Sequence, residues 1–174
     1  MAERVVAHVG GVSAAGSSSA LVGPRPRLLL ISSSGGVLDD VLALGPWWRS
    51  LDRRWVAVPA PDTEELLVDE AVDWAQDVPT SRPIRLARAV AAADRDLGRR
   101  PVDLIVSAGT AVAVPFFLAA RRRGVELWWL ETFNMVGTPG RAARLCAALA
   151  NRTLVQRPSL LADRPRSVLV GELS

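Results

Sequence analysis

Hydrophobic positions along this chain form short continuous runs separated by longer periodic stretches. Residues 27–32 (RLLLIS) and 102–107 (VDLIVS) are mainly apolar runs, typical of strands buried on both faces of a parallel sheet. Further strands are predicted at 54–59, 71–75, 125–130, 153–156 and 167–170. A small glycine-containing turn follows each of the two strongest runs, so both strands are expected to end sharply.

The periodic stretches between these runs predict helices at 37–48, 82–97, 110–123 and 138–150. In the first of them, Asp39 and Asp40 fall in the opening turn, where the helix dipole favours carboxylates. Gly124 is placed to end the third helix, and Thr138 followed by Pro139 is a good start for the fourth. Because strands and helices alternate throughout, the sequence predicts an α/β fold with a Rossmann-like parallel sheet and helices on both faces.

The length of 174 residues fits one domain with a substantial core. Residues 1–25 lack the compact apolar run of a secretory signal, and we expect a flexible leader there, followed by a single domain at 26–174. Residues 104–120 carry no charge, but they fall short of the ~20 apolar residues of a membrane span. They also contain Gly109 and Pro115, so strand, turn and buried helix explain them better, and any membrane contact is expected to be peripheral.

Charge and composition argue against several classes of protein. The sequence pI is about 10.7 although the formal net charge is only +3. The chain has neither Lys nor Tyr, so almost no side chain titrates between neutrality and the pKa of arginine. A small excess of arginine over acidic residues is therefore enough to give a high pI, and nucleic-acid binding is not predicted. A single Cys146 excludes an internal disulfide and a cysteine zinc cluster, and His8 alone argues against a histidine metal site or a Ser-His-Asp triad. We expect no metal, no cofactor, a cytoplasmic location and a buried, inert Cys146.

Three loops are candidates for a binding site, because ligands of such sheets bind outside the carboxyl ends of the strands, where the strand order reverses. They are 32–36, 107–110 and 131–138. Glycines in the first two allow an anion to approach backbone N–H groups at a helix start. The candidate phosphate-binding residues are Ser33, Ser34, Gly35, Gly36, Gly109, Thr110 and Asn134. The alternative is that the glycines only permit tight turns. This alternative stays open because the sequence contains neither of the nucleotide-binding motifs G-x-G-x-x-G and G-x-x-x-x-G-K-[ST].

Two further groups of residues suggest chemistry. Glu131 follows a strand directly and is a candidate base or sugar-hydroxyl contact; the alternatives are a solvated loop carboxylate or an ion-pair partner for Arg141 or Arg144. Trp47, Trp48 and Arg49 suggest a membrane surface, since Trp suits the lipid interface and Arg suits anionic headgroups. Adjacent tryptophans are not expected to both face inward from one helix, so we expect one of them to be exposed; core packing is the alternative.

The order of motifs over about residues 27–171 resembles the acceptor-side, membrane-associated subunit of split GT-B glycosyltransferases. These motifs are LLLISSSGGVLDDVLALGPWW, DLIVSAGTAVAVPFF, ELWWLETFNMVGTPGRAARL, RTLVQRP and VLVG. One branch serves bacterial capsule and exopolysaccharide biosynthesis, and the other is the fourteenth asparagine-linked-glycosylation protein, a subunit of a UDP-N-acetylglucosamine transferase. The resemblance implies the N-terminal half of a GT-B fold, working as a heterodimer at the inner face of the cytoplasmic membrane.

By that resemblance, a small partner binds the UDP-sugar, while this chain recruits it and presents a polyprenyl-pyrophosphate-linked acceptor. Glu131 matches the family's glutamate after the aromatic strand. Two positions depart from the family, which usually has His at position 37 and often Arg at position 135, where this chain has Val37 and Met135. A non-catalytic scaffold that lost the chemistry is therefore an alternative, and a stand-alone nucleotide-binding Rossmann enzyme is a weaker one.

Overall fold

The computed structural model describes residues 25–109, 111–131, 140–155 and 167–169. Seven strands lie within these ranges: β1 (Arg27–Ser32), β2 (Asp52–Ala57), β3 (Val72–Trp74), β4 (Leu104–Ser107), β5 (Glu126–Glu131), β6 (Arg152–Val155) and β7 (Ser167–Leu169). They form one sheet in the order β3-β2-β1-β4-β5-β6-β7. Every neighbouring pair is parallel. This sheet order is that of a Rossmann-like fold.

Helices cover both faces of this sheet. Those within the described ranges are α1 (Gly36–Ala43), α2 (Gly45–Trp48), α3 (Pro61–Leu66), α4 (Pro83–Arg99), α5 (Ala113–Arg123) and α6 (Arg141–Leu149). Side chains of α1 and α2 belong to the hydrophobic core on one face, and those of α4, α5 and α6 to the core on the other. The predicted fold class is confirmed.

Successive residues of the central strands contribute to opposite cores. Leu28 and Leu30 of β1 join the core under α1 and α2, whereas Leu29 and Ile31 join the core under α4 and α5. In β5, Trp128 and Trp129 divide in the same way. Since both faces are covered, each of these positions must be apolar, which explains the continuous hydrophobic runs in the sequence.

The prediction of one continuous helix at 37–48 is wrong. The chain leaves helical geometry at Leu44 and starts a second helix at Gly45, with Pro46 in its first turn. Proline has no backbone N–H and its ring clashes with the preceding turn of a helix, so it favours a new helix start over continuation. Asp39 lies in the first turn of α1, as expected.

The expected exposure of one of the two adjacent tryptophans is also wrong. Trp47 is 7% exposed and Trp48 is 1% exposed. The Trp47 ring stacks on Trp128 at a centroid distance of 5.5 Å, and Trp48 meets Trp55 edge-on at 5.5 Å. Both rings belong to the core under α1 and α2, and each contacts a tryptophan of a different strand. This single turn of helix therefore buries both rings. Of the three residues predicted to form a membrane surface, Arg49 alone is exposed.

The uncharged stretch 104–120 forms β4, a turn and most of α5, as predicted, and Gly124 ends α5. In the part of the chain that the structure describes, no helix has the length and apolar character needed to cross a membrane. The leader predicted at 1–25 lies outside the described residues except for Arg25.

Candidate functional site

The strand order reverses between β1 and β4. From β1 the chain builds the sheet towards β2 and β3, and from β4 it builds the sheet towards β5, β6 and β7. Ile31 of β1 pairs with Ser107 of β4 in parallel register, so both strands end at the same edge. The turn at 32–36 and the described part of the second turn, 107–109, therefore leave the sheet side by side at its switch point, as the sequence predicts.

The first turn is built around Gly35. Its φ of 68° lies in a region that side-chain-bearing residues rarely adopt, and its carbonyl accepts a 2.8 Å hydrogen bond from the Leu38 N–H at the start of α1. The Gly35 N–H donates a 2.8 Å hydrogen bond to Oδ2 of Asp62. Ser33 is buried and Ser34 is half-buried. One backbone donor of the predicted anion site is thus already bound to a carboxylate of this chain.

The second turn is built around Gly109, which is buried and has a φ of 134°. Its N–H donates to Oγ of Ser107 at 3.1 Å. A Cβ atom at Gly109 would lie 3.6 Å from the Trp129 ring and 4.0 Å from Cγ1 of Val37. Val37, in the helix that follows the first turn, therefore lies close to Gly109 in the second turn. Thr110, predicted as part of this site, lies outside the described residues.

A second carboxylate lies at the start of α5. Oδ1 of Asp77, from the segment after β3, accepts a 2.8 Å hydrogen bond from the Val112 N–H. The sequence pattern predicts neither Asp62 nor Asp77 as part of this site. The two hydrogen bonds join residues 27 and 35 positions apart, so no local pattern in the sequence indicated either of them.

Glu131 is the last residue of β5 and is half-buried. Because Ser107 ends β4 opposite Trp129, Glu131 lies two residues beyond the end of β4, at the carboxyl edge of the sheet. The structure thus brings Glu131 to the edge that carries the two glycine turns. Asn134 and Met135 fall within 132–139, outside the described residues.

The amino ends of the strands, opposite to the glycine turns, carry ion pairs. Arg27 pairs with Asp103, Arg53 with Glu70, and Arg152 with Glu126, all at the amino ends of strands. The hydrogen bond from Arg27 lowers the pKa of the Asp103 carboxyl. These arginines have partners within the chain and join neighbouring strands.

Cys146 lies in α6 against the core, and burial raises the pKa of its thiol to about 12. A thiol with such a pKa is not ionised near neutrality and is a poor nucleophile. The predicted burial is confirmed. Among the residues that the structure describes, no cluster of three His, Cys, Asp or Glu side chains is arranged to hold a metal ion.

No family model matches the sequence, and no curated protein matches it. Solved structures do. MurG of Acinetobacter baumannii matches with a TM-score of 0.65 and 20% identity over 83% of this chain and 44% of that chain. The UDP-N-acetylglucosamine 2-epimerase of Rickettsia bellii matches with a TM-score of 0.61 and 11% identity over 86% of this chain and 45% of its own. The fold is that of one half of a GT-B protein.

A third match belongs to the same fold group and was solved with a nucleotide. S. aureus MnaA, in a co-structure with UDP, has a TM-score of 0.58 and 15% identity, over 83% of this chain and 43% of its own. The chain therefore spans less than half the length of each of these structures. At such identities the matches establish the GT-B half-fold, and any function must be argued from the site.

Proposed function

We propose that this GT-B half-domain is the acceptor-side subunit of a two-component glycosyltransferase. It recruits a separate UDP-sugar-binding subunit to the inner face of the cytoplasmic membrane. There it presents a polyprenyl-pyrophosphate-linked acceptor for polysaccharide or lipid-linked oligosaccharide biosynthesis. The observation that carries the proposal is the pair of glycine turns that follow two adjacent parallel strands at the switch point of a half GT-B fold.

In this proposal the acceptor pyrophosphate binds at the start of α1. A helix start attracts anions because its first N–H groups have no partner within the helix and its dipole is positive there. The Gly35 N–H is bound to Asp62, so the next amides, those of Gly36 and Val37, receive the anion together with the Ser34 side chain. Gly109 lies in the neighbouring turn, and Thr110 and Asn134 are proposed as further contacts of the acceptor.

Glu131 is the proposed general base or hydroxyl contact. Its place at the carboxyl edge, two residues beyond the end of β4, supports this role. General-base assistance is commonly worth ~10²–10⁴-fold in rate. We expect Glu131→Gln to lower the turnover of the complete enzyme by a factor in that range. Glu65→Gln, at an exposed carboxylate of α3, is the matched control and should leave turnover unchanged.

The second subunit is proposed because a GT-B active site lies between two halves, and the motifs over residues 27–171 resemble one subunit of a split enzyme of this kind. The test is affinity purification of the full chain from its native cells, followed by a transfer assay. We expect a protein of about 100–150 residues, the size of one typical domain, to co-purify. Transfer from a UDP-sugar to a polyprenyl-pyrophosphate acceptor should require both proteins. Transfer, or tight UDP-sugar binding, by this chain alone would contradict the proposal.

A scaffold without catalytic activity is the second candidate, and Val37 favours it. Val37 is partly buried, packs against the core under α1, and lies next to Gly109. An apolar side chain therefore occupies the position at which the resemblance implies histidine. Such a subunit would still bind the partner and the acceptor but would add nothing to the rate of transfer.

A further inference from the structure

Two carboxylates from outside the glycine turns hold the backbone of the site. Asp62 belongs to α3, which follows β2, and its carboxylate binds the Gly35 N–H at 2.8 Å. Asp77 follows β3, and its carboxylate binds the Val112 N–H at 2.8 Å. Each contact links a segment that follows β2 or β3 to a segment that follows β1 or β4, the two strands at the switch point.

The position of Asp62 is set by the packing of its own helix. The next residue, Thr63, is fully buried, and Leu67 directly after α3 is 2% exposed and belongs to the core. These anchors fix the orientation of a one-and-a-half-turn helix. The Asp62 side chain consequently reaches across to the neighbouring turn, although the residue itself is exposed.

The contact of Asp77 lies at the other glycine turn. Val112 directly precedes α5, and its N–H is among the first donors of that helix, which have no acceptor within it. The Asp77 carboxylate supplies the acceptor, as a capping side chain does, but from a residue 35 positions away. It thereby fixes the start of α5 a few residues beyond Gly109.

We propose that Asp62 and Asp77 are positioning residues of the acceptor site, a role that rests on the proposed function. Asp62 holds the Gly35 turn so that the amides of Gly36 and Val37 are presented to the pyrophosphate. Asp77 holds the start of α5 beside Gly109. Both act as hydrogen-bond acceptors. An asparagine carbonyl oxygen can accept the same bond without the negative charge, so asparagine should preserve the role and alanine should abolish it.

The test uses the full chain labelled with ¹⁵N, as wild type and as Asp62→Ala, Asp62→Asn, Asp77→Ala and Glu65→Ala. Glu65 is an exposed carboxylate on the same helix and serves as the matched control. Solvent exchange of the Gly35 amide is measured by NMR, and the affinity for inorganic pyrophosphate is measured by titration. Urea unfolding of each variant separates local from global effects.

We expect Asp62→Ala to speed exchange of the Gly35 amide about tenfold, the scale of one hydrogen bond to a charged group. We expect it to weaken pyrophosphate binding about fivefold, with the urea midpoint unchanged. Asp62→Asn should restore the slow exchange and bind pyrophosphate at least as tightly as wild type, since a negative charge near the anion is gone. Glu65→Ala should match wild type. Asp77→Ala should speed exchange at Val112 in the same way.

The inference would be overturned by a Gly35 amide that exchanges at the wild-type rate in Asp62→Ala, or by faster exchange with unchanged pyrophosphate affinity. An Asp62→Asn variant that behaves like alanine would overturn it as well. Failure of the proposed function gives a different signal, because it is seen in the unmodified protein. If wild type binds no pyrophosphate at the 33–37 turn, the acceptor site itself is wrong and its positioning residues fall with it.

Discussion

Gly35 and Gly109 place the two turns of the site through backbone conformations that other residues rarely adopt. Gly35 is exposed and has open space around its Cα, so strain is the main obstacle to a side chain there. Gly109 is buried, and a side chain would in addition contact Trp129 and Val37. The turn at Gly109 therefore combines a backbone requirement with close packing, which makes it the more sensitive of the two positions.

We expect Gly109→Ala to lower the free energy of unfolding by about 1–3 kcal/mol, the cost of holding a residue with a side chain in a sparsely populated conformation. Urea denaturation measures it. Gly140→Ala is the control, because Gly140 has an ordinary φ of −61° and open space around it, and its change should stay within about 0.5 kcal/mol. Equal effects at the two positions would show that the conformation of Gly109 is not strained for alanine.

The single turn of α2 contributes two buried tryptophan side chains to the core that it shares with α1. Trp47 stacks on Trp128 of β5, and Trp48 packs on Trp55 of β2 while its Nε1–H donates to the Val41 carbonyl at 2.8 Å. The guanidinium groups of Arg49 and Arg53 lie over the Trp48 ring at 5.6 and 5.0 Å. The aromatic and arginine residues that suggested a membrane surface are thus largely engaged with each other and with the sheet.

Truncating either ring should therefore destabilise the fold. We expect Trp47→Ala and Trp48→Ala each to cost about 3–5 kcal/mol of unfolding free energy, the usual range for a buried aromatic side chain. Arg49→Ala, at an exposed neighbour, should cost about 0.5 kcal/mol or less. Chemical denaturation followed by circular dichroism gives all three values. Tryptophan variants as stable as wild type would mean that α2 does not pack as described.

The ion pair between Arg27 and Asp103 joins the starts of β1 and β4, and Asp103 binds both the backbone N–H and the guanidinium of Arg27. The hydrogen bond from Arg27 lowers the pKa of Asp103 in the folded protein. A lowered carboxyl pKa contributes stability that is present above the unfolded-state value of about 3.9 and is lost as the pH falls through the folded value.

We therefore expect Asp103→Asn to be less stable than wild type at pH 7, with the difference shrinking as the pH falls below about 4. Urea unfolding at a series of pH values measures this gap. Asp69→Asn, at an exposed carboxylate without an ion pair among the described residues, is the control and should show a constant small difference. A gap for Asp103→Asn that stayed constant down to pH 2 would contradict the assigned pair.

The two ends of the strands in this sheet carry different kinds of group. The amino ends of the strands carry ion pairs that join neighbouring strands, whereas the carboxyl ends carry the glycine turns, Asp62, Asp77 and Glu131. Stability and the candidate chemistry therefore lie at opposite ends of one half GT-B fold. This division leaves the carboxyl edge as the surface at which a second GT-B half is expected.

The two candidate functions differ in what Val37 does, and introducing the polar residues that the resemblance implies at positions 37 and 135 separates them. In the complex with its partner, Val37→His combined with Met135→Arg should raise turnover about 10²-fold or more if the chain has lost catalytic groups, the scale of general-base assistance. Val37→Ala is the control for lost packing and should not raise turnover. No gain from the restored pair would indicate that these positions are not catalytic in this protein.

Prediction from the sequence was most successful for elements buried on both sides. β1 and β4 were predicted correctly because both faces of each strand are covered and their central positions are apolar. Gly124 was predicted correctly because the end of a helix favours the left-handed conformation that glycine adopts. Boundaries shifted by one to three residues where the pattern is weak, as at β3 and the start of α5. For the candidate site, the two turns and Glu131 were placed at the correct edge, but Asp62 and Asp77 were missed.

Local pattern thus determined the α/β class, the alternation of strands and helices and the turns that end β1 and β4, because periodicity and glycine conformation act over a few residues. Only the tertiary structure decided the strand order, the burial of both Trp47 and Trp48, and the carboxylates bound at the turns. Those features depend on contacts between distant segments, whose energies arise only when the sheet and its covering helices have come together.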